Sequence, residues 1–368
     1  MTGETLQHTP FHPFHVRLGA KMVPFAGFEM PLQYADGISA EHETVRTAVG
    51  VFDVSHMGEF EVTGADRNAF VNRITCNDVG ALEAGQAQYS ALLDADGHFV
   101  DDCLVYRFDD KLMLVVNASN IAKDWEHIVT KKTGDVRLKD ISSDVALLAV
   151  QGPGSEALLA SLTTTDLSRM GYYRFDVGTI AGVECFISRT GYTGEDGFEL
   201  YFRPKHAETV WSALVGAGRA VPVGLGARDS LRLEAGLALY GNDIDETINP
   251  YEARLGWIVK LDKGAPFTGK AALQRIKAKG ATRKLVGFTC AQKGGFPRPG
   301  MDVYLNGHKV DVVRSGGFSP TLKQAIGTTY LPTHSLAPGT AFEVEVRGKR
   351  VPVTVATMPF YTEGSVKR

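Results

Sequence analysis

The side chains that could do chemistry gather in two neighbouring stretches. Residues 189–200 set Gly191, Gly194 and Gly197 and the carboxylates Glu195, Asp196 and Glu199 in a turn between two apolar runs. Residues 224–241 place Arg228 at the entrance of a helix-like segment. A glycine-rich turn holding a carboxylate, followed by an arginine at a helix start, suits a flat heterocycle that carries both donors and acids. Glu199 alternates with Phe198 and Leu200 and so points to the face opposite theirs. If that face is buried the carboxylate needs partners, and a heterocycle edge can donate two parallel hydrogen bonds to it. The competing reading is a surface hairpin whose glycines supply positive φ and whose acids are solvated. Arg228 also has two readings: an i,i+4 surface partner, or a guanidinium that takes a ligand carboxylate or carbonyl at the helix entrance. Asp101 and Asp102 follow a turn at 94–98 and precede the apolar run 104–106. Adjacent residues on a strand face opposite ways, so at most one of the two faces a pocket; the alternative is a solvated hairpin end.

Other near-motifs do not carry chemistry. Residues 264–271 have the spacing of a phosphate loop but lack its Ser or Thr, and Pro266 removes one amide from the cradle. Gly224 and Gly226 have no third glycine three residues on, so a dinucleotide fingerprint fails. His8, His12 and His15 sit in an arm where Pro10 and Pro13 break any helix, so no metal site is expected.

The elements that must position these residues are mixed. Ser39 reads as the N-cap of a helix with Glu41 and Glu43 in its first turn and Gly50 past its end. Residues 51–62 read as extended, 104–108 and 112–117 as a hairpin, and 145–150 as a strand leading through the turn 151–155 into a helix ending at 162. Runs 183–189 and 198–202 flank the glycine turn as paired strands, and 207–216 and 227–240 read as helices. This order predicts an α+β fold. The texture changes after residue 275: a short helix at 271–276, a basic linker at 277–284, then β runs at 285–290, 302–305, 308–313, 342–346 and 351–357. Asn306 and Gly307 between two of them signal a type I′ hairpin. The expectation is one region over 1–275 and a small β-barrel or sandwich over 280–368.

Bulk properties bound the function. A chain of 368 residues exceeds the usual single core. No apolar run approaches the ~18 residues of a membrane span, and a formal charge of −3 argues against nucleic acid. Residues 1–15 carry no signal core, and Cys76, Cys103, Cys185 and Cys290 form no Cys-x-x-Cys pair. The expectation is a reduced, cytoplasmic protein.

The two opening stretches, with 19–22, 25–31, 51–58, 240–246, 315–323 and 358–360, resemble the aminomethyltransferases of the glycine cleavage system, the T-proteins. The resemblance implies three subdomains around a central channel with tetrahydrofolate inside, the first two intertwined within 1–275. It implies an enzyme that takes the methylene carbon from the aminomethyl-lipoyl arm of an H-protein to tetrahydrofolate, releasing ammonia. Asp102 matches the family's catalytic aspartate, Glu199 the glutamate that grips the pterin edge, and Arg228 the arginine of the folate site. Tyr89, Tyr106, Tyr172 and Tyr192 fall where the family places aromatic or hydroxyl contacts to folate, and Asn117 is expected to add a polar contact. Asp311 and Arg314 depart from the family's pattern, in the terminal β region. The alternatives are a folate-dependent demethylase of the same superfamily and a folate-binding relative without transferase activity.

Overall fold

Alternation along the strand Phe99–Arg107, broken near its start where Val100 has no partner on the neighbouring strand, builds the central layer of the molecule. Beyond that break, the odd-numbered Cys103 and Val105 enter one core with Phe60, Phe70, Ile74 and Ile128. Tyr106, on the even face, enters another with Met113, Val115, Leu147, Ala149 and Tyr201. The strand lies in a five-stranded sheet ordered Gln86–Leu93, Phe99–Arg107, Leu112–Val116, Gly58–Thr63, Arg137–Asp140, all neighbours antiparallel. Helices Arg67–Ile74 and Ile121–Thr130 contribute Phe70, Ile74 and Ile128 to the core on its odd face.

A six-stranded sheet faces the even side, ordered Phe175–Ile180, Val183–Ser188, Gly197–Phe202, Ala146–Gln151, Gly50–Asp53, Val221–Pro222. Leu147, Ala149 and Tyr201 from its inner face meet Tyr106 and Val115. Leu148, Val150, Phe198 and Leu200 from its outer face pack with Val210, Trp211 and Phe11. The two sheets therefore bury their inner faces on one another. The seven-stranded sheet of the C-terminal part starts at Arg283 and curls around Phe288, Val303, Phe342 and Val353. Asn306 and Gly307 take φ of 52° and 82° in its first hairpin, as a type I′ turn requires. The structure, a computed structural model, describes residues 5–291 and 296–366.

Several boundaries differ from the sequence reading for local reasons. Gly37, at φ 79°, turns the chain into the helix Gly37–Thr47, so Ser39 lies inside its first turn and is not its cap. Residues 51–62 are two strands in different sheets, joined by a turn at 54–57. The helix holding Arg228 is Leu225–Glu234 and stops short of Tyr240, because Gly236 takes the left-handed conformation and Leu237 N–H returns to Arg232 O at 3.0 Å. The basic stretch 277–284 is not a linker: Lys277 and Lys279 finish the helix Lys270–Lys279, and Arg283 opens the next strand. Strands Ser315–Ser319 and Gln324–Pro332 escaped the sequence reading, where glycines and threonines mask a largely buried run.

Candidate active site

Strand parity separates the two aspartates. Asp101 is fully buried on the odd face, where its carboxylate accepts from Asn117 N (3.1 Å), Asn117 Nδ2 (2.9 Å) and Asn120 Nδ2 (2.8 Å). Behind it, burial and the Asp101 charge push the carboxyl of Asp124 far up, so Asp124 is held as the acid. Asp102 turns to the even face between the sheets. Tyr89 Oη donates to its Oδ2 at 2.9 Å and Asn117 Nδ2 to its Oδ1 at 2.8 Å. Burial, then the Asp101 charge, raise Asp102 to about 7, against the pull of those two donors. A carboxylate poised near neutrality is suited to take a proton or face a developing cation.

Glu199 reaches the same space from the opposing sheet. Thr190 Oγ1 donates to its Oε2 at 2.5 Å and Tyr106 Oη at 3.5 Å. Burial raises its pKa, while Thr190, Arg228 and Tyr106 favour the ionised form. Arg228 lies over the Tyr192 ring at 4.6 Å, and among the described residues no carboxylate comes within ion-pair distance of it. Tyr192 Oη donates to Ala238 O, which fixes the ring under the guanidinium.

The rest of the glycine turn is scaffold. Asp196 takes Arg189 Nε at 2.9 Å and Nη2 at 2.6 Å, and Arg189 also donates to Glu156, Leu167 O and Met170 O. Glu195 accepts from Arg46 Nη1 at 2.8 Å and from Ser365 Oγ at 2.6 Å. Of the three carboxylates in the turn, only Glu199 has no arginine within ion-pair distance among the described residues. Gly191 and Gly197 admit the Gln151 amide, which a Cβ on either would meet at 2.0 and 2.5 Å. That amide donates to Thr190 O at 3.1 Å and so sets the residue that holds Glu199.

The tyrosines divide by burial. Tyr89 stacks on the exposed Trp257 with centroids 6.0 Å apart and stands at the rim. Tyr106 is fully buried; Phe175, Phe186 and Tyr201 surround its ring, leaving its hydroxyl to support Glu199 from behind. Tyr172 packs edge-on to Tyr173 at 4.7 Å. Asn117 spends its amide on both aspartates and positions them.

Four further residues belong to this space. Tyr173, at φ 62°, bonds through its backbone to Ala87 of one sheet and to Arg189 beside the other, and Glu199 and Asp102 both raise its hydroxyl pKa, after burial. Its neighbour Tyr172 drew attention in the sequence; a left-handed tyrosine leaves no sequence signal. Glu59 is buried with both carboxyl oxygens unpartnered, and burial, Asp140 and Glu199 push it well up. Parity with Glu61 on one strand was the signal for it. His56 is buried, held neutral at about 4 by burial and Arg228, and edged by Phe25 and Phe28. Trp257 is the fourth.

The helix bearing Arg228 is clamped to the curled sheet. Arg232 donates to Asp243 at 2.7 Å and to Ser315 Oγ at 2.8 Å, Glu234 accepts from Ser319 and Thr321, and Tyr330 Oη donates to Asp243 O at 2.7 Å. The C-terminal part thereby positions the arginine without supplying a described side chain to the cleft.

Comparison with known proteins gives consistent matches. The GCVT N-terminal domain matches residues 11–263, and the glycine cleavage T-protein C-terminal barrel domain matches 283–362. The aminomethyltransferase of Anoxybacillus flavithermus is 48% identical over 97% of this chain and 99% of its own length. That of Chloroherpeton thalassium is 50% identical over 96% and 99%. The crystal structure of glycine cleavage system aminomethyltransferase T from Bartonella henselae superposes with a TM-score of 0.93 at 34% identity, covering 99% of this chain and all of that one.

Proposed function

Because the chain belongs to the glycine cleavage T-protein family, we propose that the cleft between its two sheets is where tetrahydrofolate receives a one-carbon unit from the lipoyl arm of an H-protein. The activity, aminomethyl transfer in the glycine cleavage system, follows from the family. The observation that carries the finer reading is Asp102. It is the member of the acid pair on the face toward the six-stranded sheet, held by two donors and poised near neutrality.

In this reading the carboxylate of Asp102 holds a folate amine in line with the aminomethyl carbon. It stabilises the cation that develops as ammonia departs, then accepts the proton that the attacking amine sheds. The methylene ends bonded to two folate nitrogens; of their two protons, one leaves with ammonia and one returns to the lipoyl sulfur. The products are 5,10-methylene-tetrahydrofolate, ammonia and the dihydrolipoyl arm. Glu199 accepts the donor edge of the pterin, and its placement by Thr190 sets the angle of that edge. Arg228, having no carboxylate partner among the described residues, takes a folate oxygen, with Tyr192 beneath it. Tyr89 and Tyr172 line the entrance, while Tyr106 and Asn117 act through Glu199 and Asp102.

Residues 1–275 are the folate-binding region in this proposal and 280–368 the barrel domain. The end of the helix Lys270–Lys279 at Gly280 and the start of the curled sheet at Arg283 support that division. Four free, buried cysteines fit a reduced compartment, the cytoplasm. Among the described residues no helix is long and apolar enough to cross a membrane. The test is ammonia release from aminomethyl-loaded H-protein with and without tetrahydrofolate. Fast release that requires folate and forms 5,10-methylene-tetrahydrofolate supports the reading. Folate binding without release would move the substrate to a small methylated molecule.

A further inference from the structure

The three histidines of the N-terminal arm part company in the fold. His15, in the short helix His12–Arg17, is buried, with Nε2 3.0 Å from Asp53 and Nδ1 2.8 Å from Tyr34 Oη. His8 and His12 remain outside and stack, ring centroids 3.7 Å apart and planes within 5°. Both present Nε2 to one oxygen, Glu29 Oε2, at 3.4 Å from His8 and 2.6 Å from His12. Glu29 comes from the hairpin formed by Lys21–Phe25 and Phe28–Gln33, to which the arm is laced by Gln7 N–H to Gly27 O and Glu29 N–H to Gln7 O, each 2.9 Å.

We propose that His8, His12 and Glu29 form a binding site for a divalent transition-metal ion of the zinc type, which fastens the N-terminal arm to the hairpin. The donor atoms lie within 4.8 Å of one another. Tetrahedral zinc with bonds of about 2.0–2.1 Å needs donors roughly 3.3 Å apart, and the two nitrogen-to-oxygen distances bracket that value. Two imidazoles and one carboxylate are a borderline set that suits zinc, cobalt or nickel and disfavours magnesium or calcium, which take oxygen ligands. Two ring nitrogens converge on a single carboxylate oxygen, and a divalent cation placed among them accepts the lone pairs of both neutral imidazoles and the carboxylate together. Ligand lone pairs lie in the ring planes, so binding requires the stacked rings to splay. His8, whose side chain is 54% exposed, has the freedom to turn; His12, at 14%, is the anchored member. Three protein ligands leave a fourth position for water.

The site is separate from the inter-sheet cleft, and its test does not depend on turnover. The full chain, free of any affinity tag and stripped with chelator, is titrated with Zn²⁺ alone by calorimetry, and with Co²⁺ while its visible d–d bands are followed. The expected result is one saturable equivalent per chain. His8→Asn, a change at an exposed side chain that leaves the fold intact, should weaken binding by at least roughly the ten- to hundredfold that loss of even an outer-shell partner costs. Glu29→Gln should do the same. Hydrogen exchange at the Gln7 amide should slow when Zn²⁺ is bound. No saturable binding below about 1 mM, a Kd of the weakest class, would overturn the site, as would equal affinity in His8→Asn. Binding that leaves exchange at Gln7 unchanged would overturn the fastening.

Discussion

Replacing Asp102 by Asn separates chemistry from stability, because the two should move in opposite directions. Asn keeps the shape and one acceptor oxygen, so Tyr89 can still donate, but its amide nitrogen meets the Asn117 amide where a carboxylate oxygen now accepts at 2.8 Å. Losing that bond costs about 1–2 kcal/mol. Against this stands the ionisation cost of Asp102 itself. Its pKa rises from the ordinary 3.8 to about 7 through burial and the neighbouring Asp101 charge, worth at most about 4 kcal/mol and less once shared with Asp101. The sign follows from proton binding. Between about pH 4 and 7 the folded chain keeps a proton that the unfolded chain has lost, so stability falls as pH rises through that window and is level above it. Asn does not ionise, so the variant escapes this fall. At pH 8 its unfolding free energy should be unchanged or up to about 3 kcal/mol higher, measured by urea denaturation and extrapolated linearly. Turnover should drop by roughly 10²–10⁴, the range for loss of a positioned base, at saturating folate and aminomethyl H-protein. Turnover within about tenfold of the parent would refute the role of Asp102 in the chemistry. A stability loss beyond about 2 kcal/mol would refute the claim that its charge is held at a cost.

The parent enzyme should gain kcat as pH rises through about 7, where Asp102 ionises, and Tyr89→Phe, by removing a donor to the ionised form, should shift that midpoint upward by about one pH unit; an unmoved midpoint would show that another group titrates. Glu199→Gln should weaken tetrahydrofolate binding by roughly ten- to hundredfold in equilibrium titration while kcat at saturation changes much less. Equal affinity would show that Glu199 does not hold the pterin edge. Arg189→Met leaves Asp196 buried without its bidentate partner and should destabilise the fold by about 3–5 kcal/mol in denaturant, with any folate effect following from displacement of the turn. A loss under 1 kcal/mol would mean that the turn does not depend on the pair.

Parity and punctuation were legible without a structure. Two adjacent aspartates on a strand must face opposite ways, and they do, one into a polar nest with Asn117 and Asn120 and one toward Tyr89. Asn306 and Gly307 announced their hairpin because few residues tolerate positive φ twice in succession. Glu199 alternates with Phe198 and Leu200 by the two-residue repeat alone. These are local facts, set by covalent geometry and a few neighbouring residues.

Which acids are spent and which are left was decided only in three dimensions. Glu195 and Asp196 look as eligible as Glu199 in the sequence, yet Arg46 and Arg189 neutralise them from remote and nearby parts of the chain. Arg232 and Arg228 lie on one helix, and it is Asp243 and Ser315 that occupy the first, while the second lies over the Tyr192 ring. Tyr106 and Tyr89 are equivalent as tyrosines; facing sheets bury one and expose the other to the rim. Likewise His8 and His12 meet Glu29 only because a hairpin folds back against the arm. The physical reason is common to all four cases. A side chain's chemistry comes from its own atoms and its strand or helix phase, which the sequence carries, whereas its availability depends on partners brought from far along the chain, whose electrostatic and packing contacts exist only once the sheets have closed on each other.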